Sequence, residues 1–261
     1  MRTDRVVAVV QARMGSKRLP GKVLADLCGK PVLAWVVDRA RRARRVDEVL
    51  VATTTDSEDD AVEEFCQRRG DRCFRGHPTD VLGRIVRAAR ASRAEVVVRI
   101  TGDCPWIDPE LIDEAVQAFL TADSSVALVL NRLPWERTYP IGTDVEVCSL
   151  ASLETADLEA REPHQREHVM PFLYENPDRF PYLHLRSGGD YGALRWTVDE
   201  AADLRVLRSV CSKFPGRDTF TWLEVLELFE REPELATGNA SVPHRDHRQA
   251  EPPSPPAEKG A

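Results

Sequence analysis

A chain of 261 residues, 42% hydrophobic and 30% charged, is long enough for one large α/β domain with a substantial core. Its net charge of −7 argues against general nucleic-acid binding, which needs a basic surface. No apolar run approaches the ~20 residues of a membrane helix, and MRTDR enters a strand too early for a signal peptide, so a cytoplasmic protein is expected.

Residues 6–10, all β-branched but for Ala8, predict a short buried strand. The next stretch, 11–22, carries the cations Arg13, Lys17, Arg18 and Lys22 with Gly15, Pro20 and Gly21. Such a segment cannot bury itself. It suits a loop at the carboxyl end of a parallel strand, where open α/β sheets bind ligands. Glycines let backbone N–H groups face an anion and the cations supply charge, which points to a polyphosphate loop. It is not a Walker A loop, because five residues separate Gly15 from Gly21 and Val23 follows Lys22. A solvated basic loop after an edge strand is the competing reading.

CGKP at 28–31 is a turn opening a helix, with Leu33, Val36, Val37 and Ala40 on one face. The arginines of 39–45 fall mostly on the other face and are expected in solvent. Strands follow at 48–53, 72–74 and 95–101, alternating with helices at about 57–70, 80–91 and 109–120. Ser57 with Asp60 resembles a capping box, and Thr79 can cap the following helix. This alternation implies right-handed βαβ units, a mainly parallel sheet and a three-layer, Rossmann-like α/β fold.

Beyond the third of these helices lie a strand at 126–131, a polar, proline-bearing and mobile loop at 132–143, and a half-buried strand at 144–147. Helices at about 150–160 and 165–175, strands at 182–186 and 194–197, and helices at about 199–213 and 222–231 complete the domain, 1–236. Residues 237–261 are rich in proline and polar residues and should be disordered, with His244 and His247 incidental. The six cysteines have no CxxC pairing or zinc spacing and read as reduced thiols. Cys104 lies beside a candidate metal ligand and could meet reagents there.

Polyphosphate chemistry at a basic loop calls for a divalent cation, normally Mg2+, held by one or two carboxylates at strand ends. Asp103 and Asp199 fit, each just past a predicted strand. Either could equally be a helix cap or turn residue.

QARMGSKRLPGK at 11–22 resembles the signature loop of cytidylyltransferases that make CMP-activated sugars. The similarity is greatest to the SpsF-like spore-coat polysaccharide branch, with 3-deoxy-manno-octulosonate and acylneuraminate cytidylyltransferases more distant. It runs from about Val6 to about Val210 and includes Gly102-Asp103 and WTVDEAADL at 196–204. The resemblance implies the fold of nucleotide-diphospho-sugar transferases and transfer of CMP from CTP to a sugar or sugar-acid hydroxyl with release of pyrophosphate. Carried over, Asp103 and Asp199 hold the metal, while Arg13, Lys22 and Asp103 are catalytic. Gln11, Ala12, Arg13, Gly15, Ser16, Lys17, Arg18 and Lys22 line the nucleotide, together with Arg75 near the base and Thr101. Thr101 stands where the octulosonate branch has Gln, so base contacts are not carried over there. Asp203 braces the following helix. Asp80 is either a base-pocket residue or a first-turn carboxylate, the latter favoured.

On the acceptor side, PIGTDVEV at 140–147 resembles the family's sugar-side strand. Asp144 and Glu146 share one face and either bind sugar hydroxyls or form a solvated edge. REHV at 166–169 is similar to an acceptor-side signature. There Arg166 either binds an acidic group or forms surface helix pairs, and His168 is the candidate general base. Family members often pair, so a homodimer contact is expected within 132–186. Two other functions share these residues: a non-catalytic nucleotide-binding module of a polysaccharide-assembly complex, and a nucleotidyltransferase of the same fold using another NTP.

Overall fold

The computed structural model describes residues 4–243. In chain order its strands are β1 (Val6–Gln11), β2 (Asp26–Leu27), β3 (Lys30–Pro31), β4 (Glu48–Thr54), β5 (Arg72–Gly76), β6 (Val96–Thr101), β7 (Leu128–Leu130), β8 (Arg132–Leu133), β9 (Glu136–Arg137), β10 (Glu146–Ser149) and β11 (Tyr182–His184). Its helices are α1 (Val32–Arg42), α2 (Asp60–Arg69), α3 (Val81–Ala91), α4 (Pro109–Thr121), α5 (Leu150–Glu159), α6 (Pro163–His168), α7 (Pro171–Tyr174), α8 (Ala201–Ser212), α9 (Trp222–Arg231) and α10 (Glu234–Thr237).

Seven strands form one sheet in the order β11-β7-β10-β6-β1-β4-β5. Neighbours pair in parallel except around β10, which is antiparallel to both β6 and β7. The chain leaves β1 toward β4 and β5, then returns to β6 on β1's other side. That reversal makes the carboxyl ends of β1 and β6 the switch point where such sheets bind ligands.

The pleat of β1 explains the layers. Val6, Ala8 and Val10 face α1, α2 and α4, while Val7 and Val9 face α3, α5 and α7. All five are fully buried, each worth about 1.5–3 kcal/mol over an exposed side chain. A third cluster gathers Trp35, Trp106, Trp196 and Phe220 with α8 and α9. Among the described residues no helix is long and apolar enough to cross a membrane.

Several local expectations need correction. Ser57 lies in a 3-10 turn before α2 rather than capping it. Asp80, not Thr79, caps α3, accepting from the Gly83 N–H at 3.1 Å. Residues 132–143 contain the β8–β9 hairpin, because Arg132 and Arg137 pair across it while both turn toward Asp144. The helix expected at 165–175 breaks at Val169, whose φ is 73, into α6 and α7. Residues 194–197 form only one bridge, Ile141 with Arg195. Arg39 is not in solvent. It is buried and donates to the carbonyls of Ile107, Asp218 and Phe220 at 2.7–2.9 Å, stapling the third cluster to α1. Residues 237–243 belong to the body, since Asn239 is buried, and residues 244–261, with His244 and His247, lie outside the described residues.

Candidate active site

The basic loop leaves β1 at Gln11 and folds back on itself. The Met14 carbonyl accepts the N–H groups of Ser16 at 2.8 Å and Gly21 at 3.0 Å. Its outer side is fixed by Asp59, which accepts from the Met14 N–H at 2.6 Å and from the Thr54 hydroxyl. Asp59 is buried, so those donors are its compensation for lost water. Only an acidic run in the sequence hinted at it. Across the switch point, Gly102 donates to the Gln11 carbonyl at 2.8 Å. A Cβ there would meet that oxygen at 2.8 Å and the Ala12 Cβ at 2.9 Å. The glycine therefore lets the loop after β6 lie against the basic loop.

That approach brings the predicted residues together. The Lys22 Nζ donates to Asp103 Oδ2 at 2.6 Å and to Asp199 Oδ1 at 2.8 Å. The backbone locks the two acidic segments to each other, the Asp103 carbonyl accepting from the Val198 N–H at 2.8 Å and the Thr197 hydroxyl at 3.2 Å. Arg18 stands 3.1 Å from Asp199 and Arg195 donates to it at 2.5 Å. Burial disfavours charge on Lys22 and Asp199, but mutual attraction outweighs it. The Lys22 pKa rises above the ordinary lysine value, and that of Asp199 falls below the usual carboxylate range with help from Arg18 and Arg195. Asp203 accepts from the Asp199 and Glu200 N–H groups at 2.9 Å, bracing the start of α8 as expected.

A cleft of about 290 Å³ opens over this cluster. Gln11, Ala12, Arg13, Gly15, Ser16, Arg18, Lys22, Thr101, Asp103, Asp144, His168 and Asp199 line it. So do Arg84, Arg99, Arg132 and Glu167, which were not anticipated. Arg84 is buried and donates to the carbonyls of His77 and Pro78. Burial, reinforced by nearby Arg13, lowers its pKa to about 10 despite Asp59 and Asp80. A desolvated guanidinium beside a second arginine favours an anionic ligand. Arg99 had one signal, a cation inside a valine strand.

Other expected residues lie elsewhere. Lys17 lines an adjoining groove on the outer side of the loop. The Arg75 guanidinium is engaged away from the cleft by Asp60 at 2.6 Å, Glu63 at 2.9 Å and the carbonyls of Thr54 and Asp56. Arg166 joins Asp80 at 2.6 Å and Asp157 at 2.7 Å, tying α6 to the start of α3. Glu146 is not on a solvated edge. It is buried on a central strand, 2.5 Å from Arg99 and 3.6 Å from Arg132. Asp144 takes Arg137 through both oxygens, at 2.5 and 3.0 Å. Cys104 is buried rather than open to reagents, and burial pushes its thiol pKa well up.

No group of three or more metal-ligating side chains occurs among the described residues. The donor set at Lys22 is two carboxylates, hard oxygens that already share one cation. That fits magnesium, which takes one or two carboxylates and completes its shell with phosphate oxygens and water.

A mainly parallel sheet with a cationic loop and two aspartates at its switch point defines a nucleotidyl-transferring α/β protein. Residues 7–199 match the cytidylyltransferase family model. The spore coat polysaccharide biosynthesis protein SpsF of Bacillus subtilis strain 168 is 32% identical over 89% of this chain and 97% of its own. A 3-deoxy-manno-octulosonate cytidylyltransferase of Anaeromyxobacter sp. strain K is 44% identical over 43% of this chain and 46% of its own. Among solved structures, a cytidylyltransferase from Leptospira borgpetersenii serovar Hardjo-bovis strain JB197 superposes with TM-score 0.85 at 31% identity, over 92% of this chain and all of that one. The chain belongs to the cytidylyltransferase family and is a CTP-dependent nucleotidyltransferase.

Proposed function

We propose that this enzyme transfers CMP from CTP to a hydroxyl of a sugar or sugar acid in glycan or sugar-metabolite synthesis. One observation carries the reading: Lys22 meets Asp103 and Asp199 at 2.6 and 2.8 Å beneath a cleft rich in arginine. The acceptor hydroxyl attacks the α-phosphorus, forming a new O–P bond. The bond to the β-phosphate oxygen breaks and pyrophosphate leaves. Arg13, Arg18 and Lys22 bind the triphosphate and stabilise charge on the leaving group, with Gln11, Ala12, Gly15, Ser16 and Thr101 shaping its seat. Asp103 and Asp199 would hold Mg2+, which when bound supplies charge neutralisation at phosphate oxygens. His168 takes the hydroxyl proton, and Asp144 orients the acceptor with Glu146 behind it.

A homodimer through 132–186 is part of this reading. It is supported by the edge strand β11 and by Trp135 and Leu183, exposed by 58% and 39%. Light scattering checks it, and a monomer at micromolar concentration rejects it.

The activity test is pyrophosphate release from CTP and Mg2+ with a panel of sugars and sugar acids. Release that needs CTP and one acceptor class is expected. Tight CTP binding without release for any acceptor rejects it, and equal release from UTP, GTP or ATP rejects the base assignment.

A further inference from the structure

The segment after α10 returns to the site from behind. Asn239 is only 2% exposed. Its Nδ2 donates to the Arg195 carbonyl and to Asp203 Oδ1, both at 2.9 Å. The approach is close: a Cβ on the preceding Gly238 would meet Val206 Cγ2 on α8 at 2.6 Å. Leu235 and Ala236 pack against the third cluster. Asn239 lies outside residues 7–199, the stretch the family model matches.

Asp203 is completely buried, so its oxygens need donors. Oδ2 has the two N–H groups at the start of α8 and, at 3.3 Å, Arg195 Nη2, while Oδ1 has Arg195 Nε at 2.9 Å and Asn239. Arg195 is shared, because its Nη2 lies between the two carboxylates, donating to Asp199 at 2.5 Å and to Asp203 at 3.3 Å. The Asn239 amide thus meets part of the demand of Asp203 and leaves the arginine available to Asp199. Without that amide, the arginine is drawn toward the buried carboxylate and the Asp199 side chain loses its back support.

We infer that Asn239 is a positioning residue that aims the Asp199 carboxylate into the cleft, acting through Arg195 and Asp203. The inference rests on the proposed metal role of Asp199. Groups behind metal ligands commonly change metal affinity by about 10- to 100-fold when removed.

The test is a Mn2+ titration followed by electron paramagnetic resonance on the full chain with saturating CTP, alongside CTP binding in EDTA and thermal melting. Asn239→Ala should raise the Mn2+ half-saturation about tenfold or more while metal-free CTP binding stays within about twofold. Asn239→Leu, similar in size but without a donor, should do the same. If Asn239→Ala is too unstable to titrate, Asn239→Ser is used, with a smaller shift in the same direction expected. Unchanged Mn2+ half-saturation in a folded variant, even with a lower melting temperature, overturns the inference and leaves a purely structural asparagine. Unchanged Mn2+ binding in Asp199→Asn instead overturns the metal assignment itself.

Discussion

Lys22 and Asp199, distant in sequence, meet at 2.8 Å, and the same ammonium reaches Asp103 at 2.6 Å. A lysine between two carboxylates is both their counter-ion and, in the proposed reaction, a ligand for the leaving pyrophosphate. Lys22→Ala should weaken CTP binding about tenfold or more and CMP binding much less, since charged contacts to phosphate are worth about 1.5–3 kcal/mol. Calorimetric titration with both nucleotides checks this, and equal losses would refute the leaving-group role. The fold should lose about 2 kcal/mol, less than a fully buried pair would, because the carboxylates keep some solvent contact.

Asp103→Asn separates chemistry from structure. The backbone carbonyl of Asp103, not its side chain, holds Val198 and Thr197, and asparagine keeps that carbonyl. Magnesium-dependent pyrophosphate release should fall by at least ~10²-fold with an unchanged circular dichroism spectrum. Wild-type turnover in the variant would remove Asp103 from the metal site.

Asp59 predicts a different signature. Asp59→Ala leaves the Met14 N–H and the Thr54 hydroxyl without their acceptor, costing about 2 kcal/mol and loosening the basic loop. The KM for CTP should rise about tenfold while kcat changes little, because the residue touches the loop and not the reacting atoms. A large fall in kcat at constant KM would contradict this.

The pH dependence follows from the Lys22–Asp199 pair. Asp199 has a folded pKa below its unfolded value of about 3.9. Its contribution is present above pH ~3.9 and is lost as pH falls through the folded value. Lys22 has a folded pKa above its unfolded value of about 10.4, so its contribution is full below pH ~10.4 and is lost as pH rises through the folded value. The pair should therefore stabilise the protein evenly between about pH 5 and pH 9. Urea unfolding across pH should show a shallower acid limb in Asp199→Asn than in the wild type. Identical acid limbs would mean that the pair adds nothing.

What the sequence made legible was the part of the site that breaks pattern. A basic, glycine-bearing stretch after a valine strand cannot be core, and an aspartate just past a strand must face a loop. Those signals located Lys22, Asp103 and Asp199. Arg84 was hidden because it sits within the apolar helix α3, and Arg132 because 132–143 gave no strand pattern. Arg75 and Arg166 were placed by resemblance, but their partners Asp60, Glu63, Asp80 and Asp157 come from other turns and helices. Sequence spacing carries no information about which carboxylate a long side chain will reach. The antiparallel entry of β10 between β6 and β7 was equally invisible, and it rules out the solvated-edge alternative for Glu146, which is buried.

The two halves of the cleft are held by different kinds of bond. Beneath the basic loop, Val10 opposite Ile100 and Gln11 opposite Thr101 are set by main-chain register, which side-chain replacement barely alters. From β6 outward, the wall is backed by an ionic patchwork of Arg99, Glu146, Arg132, Asp144 and Arg137. Such a patchwork can be redrawn by exchanging a few charges while the strands stay in place. Under the proposed function, a lineage inherits its nucleotide half intact and changes acceptor by drift along a single wall.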